Sequence, residues 1–246
     1  MLKTAWRYWF VAGLLLSAPP IFADERDPLV RINRPIYRFN DALDRRILLP
    51  LTRGYVWLLP QPARDCVHNV FSNLGDTLVV VNDVLQVNPR ATGRDFLRLV
   101  MNTTFGLAGL FDVGVRVGLP KHEQDFGLTL GVWGVPAGPY VVLPIKGPST
   151  LRDAPAALFD TLLYPLNFIR PSRDQWGPYA LYVVDMRAQL LPLQPTLESS
   201  GDPYILLREV YLQRRAAALK ADRKAAPSDQ TAADDPFTAD GSEAVP

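Results

Sequence analysis

Apolar residues recur at helical spacing through most of the chain, interrupted by prolines. Asn33 can cap a helix with Pro35 in its first turn, placing Ile36, Phe39, Leu43 and Ile47 on one face before Pro50 ends it. A short apolar piece, GYVWLLPQP, follows. From Pro62, the residues Val67, Val70, Phe71 and Leu74 repeat at i, i+3, i+4 and i+7, then Gly75 is expected to stop the helix and DTLVVVNDVLQVNP to start another. Thr92 with Asp95 resembles a capping box ahead of Phe96, Leu99 and Val100. Further helices are predicted over 149–164, 178–191 and 203–219, the last with a clear start at Asp202-Pro203.

One segment breaks the pattern. DFGLTLGVWGVPAGPYVVLPIK, from Asp125 to Lys146, has no charged side chain between its ends, yet it holds four glycines and three prolines. It is long enough for a membrane span of about 20 apolar residues. Pro136 and Pro139 rule out one straight helix, so the segment must break near Val135. Before the break, Gly127, Gly131 and Gly134 form a bald stripe between Leu128, Leu130, Val132 and Trp133; after it, PYVVLP reads as extended chain.

Composition adds three constraints. A chain of 246 residues with 48% hydrophobic content can bury a sizeable surface. The 26 basic and 25 acidic residues give no reason to expect nucleic acid, whose binders carry a basic excess or stripe. The 23 prolines imply many short elements meeting at corners. At the start, Lys3 and Arg7 precede an apolar run from Trp9 to Leu16 and then small residues, the pattern of a secretory signal. Cleavage after Ala23 fits best and after Ala18 next best, with an uncleaved anchor as the alternative. Cys66 is the only cysteine, which excludes an internal disulfide and leaves none at the cleavage site to take a lipid. Three regions result: a signal peptide over 1–23, one helical domain over 24–215, and a tail over 216–246 whose Ala, Asp, Ser and Pro content predicts disorder and a dispensable role.

No catalytic set assembles from the sequence. His68 and Cys66 are two residues apart and face different sides of a helix, and the sequence gives no reason to expect a metal or cofactor. Cys66 reads as partly buried and His68 as a surface residue. HEQDF at His122 has Phe126 where a zinc protease needs its second histidine, and DFG at Asp125 lacks the other kinase motifs. Asp112, Asp125, Asp153 and Asp160 have helix-start or ion-pair roles open to them, and no two can be paired from sequence. What the chain has in excess is apolar amphipathic surface. That favours a protein that binds or conducts something apolar.

Four motifs, DPLVRINRPIYRFN, LPQPARDCVHNVFSNLGD, MNTTFGLAGLFDVG and DFGLTLGVWGVPAGPYVVLPIKGPSTLRD, occur in an order that resembles the MlaA family, also called VacJ, over about 27–169. The resemblance implies a mainly α fold: a ring-like assembly of short amphipathic, Pro-separated helices lying in one membrane leaflet, with a short extended segment. It also implies an outer-membrane protein of Gram-negative bacteria, in the periplasmic leaflet, that maintains lipid asymmetry by removing phospholipid from the outer leaflet. Its expected partners are phospholipid, a trimeric outer-membrane porin and the soluble periplasmic carrier MlaC. Short helices without a span suit an in-plane position, and extended chain at membrane depth needs cover from protein or a wet cavity.

By the same resemblance, Asp112 to Gly138 matches a hairpin-like segment beside the lipid channel. The residues expected at the passage or its gate are Phe39, Asn40, Gly127, Gly131, Gly134, Gly138 and Tyr140. For the glycines, ordinary helix packing is the competing role; for Phe39, it is a place in the core. The chain departs from the family in one respect, because Asp24 stands where family lipoproteins carry the lipidated cysteine. The expected function is phospholipid passage without catalysis. The alternatives are a non-conducting, porin-binding scaffold and a periplasmic lipid hydrolase.

Overall fold

Helix α1 (Val30–Leu43) passes without a break into a π-helical turn, Asp44–Leu48, and then into α2 (Leu49–Leu58). Pro50 therefore does not end a helix; it sits in the first turn of α2. The wider π turn makes room for the carbonyl that a proline ring would strike in a regular helix. Asn33 lies inside α1, fully buried, and is not its cap. The computed structural model describes residues 27–168 and 176–225, so the expected signal peptide and everything after Ala225 lie outside the described residues.

Helix α3 (Gln61–Leu85) runs straight through Gly75. A glycine inside a helix costs only about 1 kcal/mol, which the long packing surface of α3 overrides. α3 packs along α4 (Pro89–Thr104), the most extensive helix pair of the fold. Between them Val87 takes a left-handed conformation, and Asn88 caps α4 by accepting from the Ala91 amide at 3.1 Å. The expected Thr92–Asp95 box is absent, because Asp95 points into the interior.

After α4 come α5 (Val113–Arg116) and α6 (Phe126–Val132), then β1 (Tyr140–Leu143) and β2 (Gly147–Thr150). The strands form an antiparallel hairpin with Tyr140 opposite Thr150 and Leu143 opposite Gly147. The chain closes with α7 (Asp153–Leu163), α8 (Trp176–Gln189), α9 (Gln194–Ser199) and α10 (Pro203–Ala225). Asp202 caps α10, accepting from the Tyr204 amide at 3.1 Å. α10 continues ten residues past the expected domain boundary at 215, so 216–225 are helical and not the start of a disordered tail. Leu219, Asp222 and Arg223 all have partners on other elements, which is what carries the helix on.

The fold is mainly α with one small sheet, and its polarity is inverted. Among the described residues, twelve apolar side chains are buried against twenty-one polar or charged ones, so burial here is mostly polar. On α4 the inward face is Asp95, Arg98 and Asn102, while Phe96 and Leu97 face out. On α3 Asn73, Asp76, Asn82 and Asp83 are buried, while Val81 and Val84 are exposed. Buried Arg98 illustrates how this interior is satisfied. Its guanidinium donates to Asp76 at 3.2 Å, Asp112 at 2.7 Å and the Leu119 carbonyl at 2.7 Å. Apolar packing is confined to small clusters, one around Phe71, Tyr164 and Leu166 and one around Tyr140, Val142 and Tyr204. No described helix is long and apolar enough to cross a membrane.

Candidate functional site

Two asparagines of α1 hold the free edge of the hairpin. They are seven residues apart, two helical turns, and so share a face. Asn33 donates to the Tyr140 carbonyl at 3.0 Å and accepts from the Val142 amide at 2.9 Å, acting as a neighbouring strand would. Its amide also donates to Asp27 at 2.9 Å. Asn40 repeats the clamp one step on, donating to the Leu143 carbonyl at 2.9 Å and accepting from the Ile145 amide at 2.8 Å. Tyr140 is thereby buried, with the rings of Tyr204 and Tyr211 each 6.2 Å from its own.

α6 meets α7 and α10 across its glycine face. A Cβ on Gly127 would stand 2.5 Å from an Asp153 carboxylate oxygen and 2.7 Å from the Arg215 guanidinium. A Cβ on Gly131 would stand 2.5 Å from Arg152 Nη1 and 2.9 Å from Leu219 Cδ1. Both glycines let charged side chains pass close to the helix. Gly134, with φ +94°, turns the chain out of α6, and Gly138, with φ +68°, turns it toward β1.

Against this face lies a charged pocket of about 260 Å³ lined by Asp125, Lys146, Ser149, Asp153, Tyr211 and Arg215, with Asp160 beside them. Asp125 caps α6 through the Leu128 amide at 2.8 Å, and Asp160 accepts from the Phe126 amide at 3.1 Å. Arg215 reaches Asp125 and Asp153, each at 3.0 Å, and the Tyr211 hydroxyl donates to Asp153 at 2.8 Å. Burial pushes the Asp160 carboxyl up to about 6, and the charge of Asp125 adds to that. Burial also acts on Asp153, but Arg152 and Arg215 outweigh it and hold that carboxyl low. Three of the four carboxylates that the sequence left unpaired thus share one site.

Of the seven sequence-chosen residues, Asn40, Gly127, Gly131, Gly134, Gly138 and Tyr140 lie on the hairpin, its clamp or the segment leading to it. Phe39 does not, and it is not core either: it is 55% exposed on the outer side of α1. Sequence reasoning missed the roles of Asn33, Tyr211 and Arg215, whereas an ion pair between Arg152 and a neighbouring aspartate was open to it and forms with Asp153 at 2.8 Å. Asn33 carried one usable signal, its seven-residue spacing from Asn40. His68 is not a plain surface residue, and His122 also has carboxylate partners. His68 Nδ1 is 3.0 Å from Asp185, which also accepts from the Tyr55 hydroxyl, and His122 Nδ1 is 2.8 Å from Asp95.

The family model for MlaA lipoprotein matches residues 25–218. The chain belongs to the MlaA family. It is 39% identical over 193 residues to the intermembrane phospholipid transport system lipoprotein MlaA of Shigella flexneri, covering 76% of each chain. The protein of that name from Escherichia coli K12 is 38% identical over the same length. An uncharacterised protein of Rickettsia felis is 36% identical over 196 residues, 79% of this chain and 78% of its own. A solved structure from work on the structural basis for maintenance of bacterial outer membrane lipid asymmetry superposes with a TM-score of 0.68 and 37% identity, covering 78% of this chain and 98% of that one. The MlaA match spans every residue of the clamp, the hairpin and the charged pocket. Those MlaA relatives are named lipoproteins, whereas the sole cysteine here, Cys66, is partly buried inside α3.

Proposed function

We propose that this protein lies in the periplasmic leaflet of a Gram-negative outer membrane and gives phospholipid misplaced in the outer leaflet a polar passage toward a periplasmic carrier. Membership of the MlaA family supports this reading, and the inverted polarity of the fold carries it. Trp57, Leu58, Ile145, Leu162 and Trp176 are each more than two-thirds exposed. Leaving a large apolar side chain in water instead of burying it costs about 1.5–3 kcal/mol, so a surface of this kind suits acyl chains. A charged headgroup has the opposite requirement. Its transfer into hydrocarbon is prohibitive unless polar groups replace its water, and the solvent-open charged pocket between α6, α7 and α10 offers such groups.

Within this reading, the hairpin with α6 is the element whose position governs passage. Asn33 and Asn40 fix one side of it to α1, and the glycine face sets how closely the other side meets α7 and α10. MlaC is the proposed acceptor and a trimeric porin the proposed neighbour, both from the family resemblance. The apolar surface and porin contact are the proposed means of holding it at the membrane.

The test is a reconstituted transfer assay with the purified protein, porin and labelled phospholipid in vesicles, and MlaC as acceptor. Label should reach MlaC only when the protein is present. Gly131→Leu, which forces a side chain against Arg152 and Leu219, should cut transfer at least about fivefold while leaving porin binding intact; overpacking costs about 1–3 kcal/mol, within what a domain this size survives. Porin binding with no transfer would make the chain a scaffold. Release of free fatty acid would make it a hydrolase.

A further inference from the structure

A second polar cluster lies away from the charged pocket. Asp83 comes from the end of α3, Asp95 from α4 and His122 from the loop before α6, and their donor atoms lie within 4.8 Å of one another. His122 Nδ1 is 2.8 Å from Asp95 Oδ2 and 3.9 Å from Asp83 Oδ1. Asp83 is 1% exposed, and no N–H or hydroxyl donor reaches either of its oxygens. A buried carboxylate without donors is costly, and beside a second carboxylate its charge is offset either by a proton or by a cation.

The imidazole is oriented from behind. Its Nε2 faces Asp222 of α10 at 3.6 Å and the Gln124 amide at 3.4 Å. A carboxylate behind a histidine whose other nitrogen points at two carboxylates is the arrangement in which a metal-bound imidazole is held by an outer partner.

We propose that Asp83, Asp95 and His122 Nδ1 bind one first-row divalent cation, with Asp222 orienting the imidazole. Two carboxylates and one imidazole suit zinc or manganese better than calcium or copper. Arg94 already pairs with Asp95 at 3.0 Å, so the ion would chiefly supply what Asp83 lacks. Donor atoms around such an ion stand about 3–4 Å apart, given bonds of about 2.0–2.2 Å, so a small rotation of Asp83 completes the set. The ion would pin the α3–α4 junction to the loop before α6 and, through His122 and Asp222, to α10.

The experiment uses the full chain, carrying no polyhistidine tag, purified in mild detergent, washed with chelator and titrated with zinc. About one equivalent of zinc per chain should remain after dialysis, and Tm should rise by roughly 5 °C at a hundredfold excess over Kd. Asp83→Asn removes an uncompensated charge at constant shape, so it should fold. It should lose zinc affinity by more than about tenfold and lose the Tm response; Asp222→Asn should weaken affinity about 10–100-fold while keeping the stoichiometry. The proposal is overturned if zinc content stays below about a tenth of an equivalent or if Asp83→Asn binds zinc as wild type does. It is also overturned if Asp83→Asn raises the Tm of the chelated protein while wild type shows no response to zinc, which would assign the gap to a proton.

Discussion

Asn33 makes three hydrogen bonds in a dry site, two of them to strand groups 107 and 109 residues away. Asn33→Ala should therefore strand a buried carbonyl and a buried amide together, at about 1–3 kcal/mol each. Denaturant unfolding should show a loss of about 3 kcal/mol, against about 1 kcal/mol for Asn40→Ala, whose site is partly open to solvent. Asp160 has a pH signature of its own. With its native carboxyl raised to about 6, the native state above that pH holds a charge it disfavours. As pH falls toward about 4, the native carboxyl takes its proton before the unfolded one does, and wild type gains stability. Asp160→Asn keeps an acceptor for the Phe126 amide. It should be more stable than wild type above pH 6, by about 1 kcal/mol after allowing for solvent on its open side, and the difference should fade toward pH 4. Paired melts across that range check it. At Gly131 even alanine carries a cost, because its Cβ would meet an Arg152 guanidinium already fixed to Asp153 at 2.8 Å.

α10 shows how far composition reads and where it stops. Asp202-Pro203 announced its start, but an Ala-rich stretch says nothing about its end, which depends on partners elsewhere in the chain. Arg223 donates to the Gly131 carbonyl at 2.8 Å, and Asp222 faces His122. Truncation after Leu219 should thus lower stability by about 2 kcal/mol or more, measured by thermal melts, because it removes both contacts. The break near Val135 and the extended YVVL were legible because glycine and proline act locally. The continuity from α1 to α2 was not, since a π turn leaves no mark in a periodicity of 3.6. The same holds for the charged pocket. Asp125, Asp153 and Asp160 were visible as carboxylates, but their convergence with Arg215 depends on how α6, α7 and α10 pack.

For the whole molecule, hydrophobic periodicity located faces but not which side they point to: Val67, Phe71 and Leu74 pack into a core cluster, and Ile36 packs against the hairpin. Ile47 and Phe96, assigned to helix faces by the same spacing, point outward. Spacing is the same whether water or lipid lies outside, so the inversion can be seen only once the polar residues are found inside. This has a consequence for how the protein tolerates change. In a soluble protein the interior accepts one apolar residue for another and the surface accepts nearly any polar one. Here a saturation scan scored by abundance should give a photographic negative of that map. Phe96, Leu97 and Val84 should exchange freely among apolar residues and reject charge. Arg98 and Asn102, each held by several directional bonds, should accept almost no replacement at all.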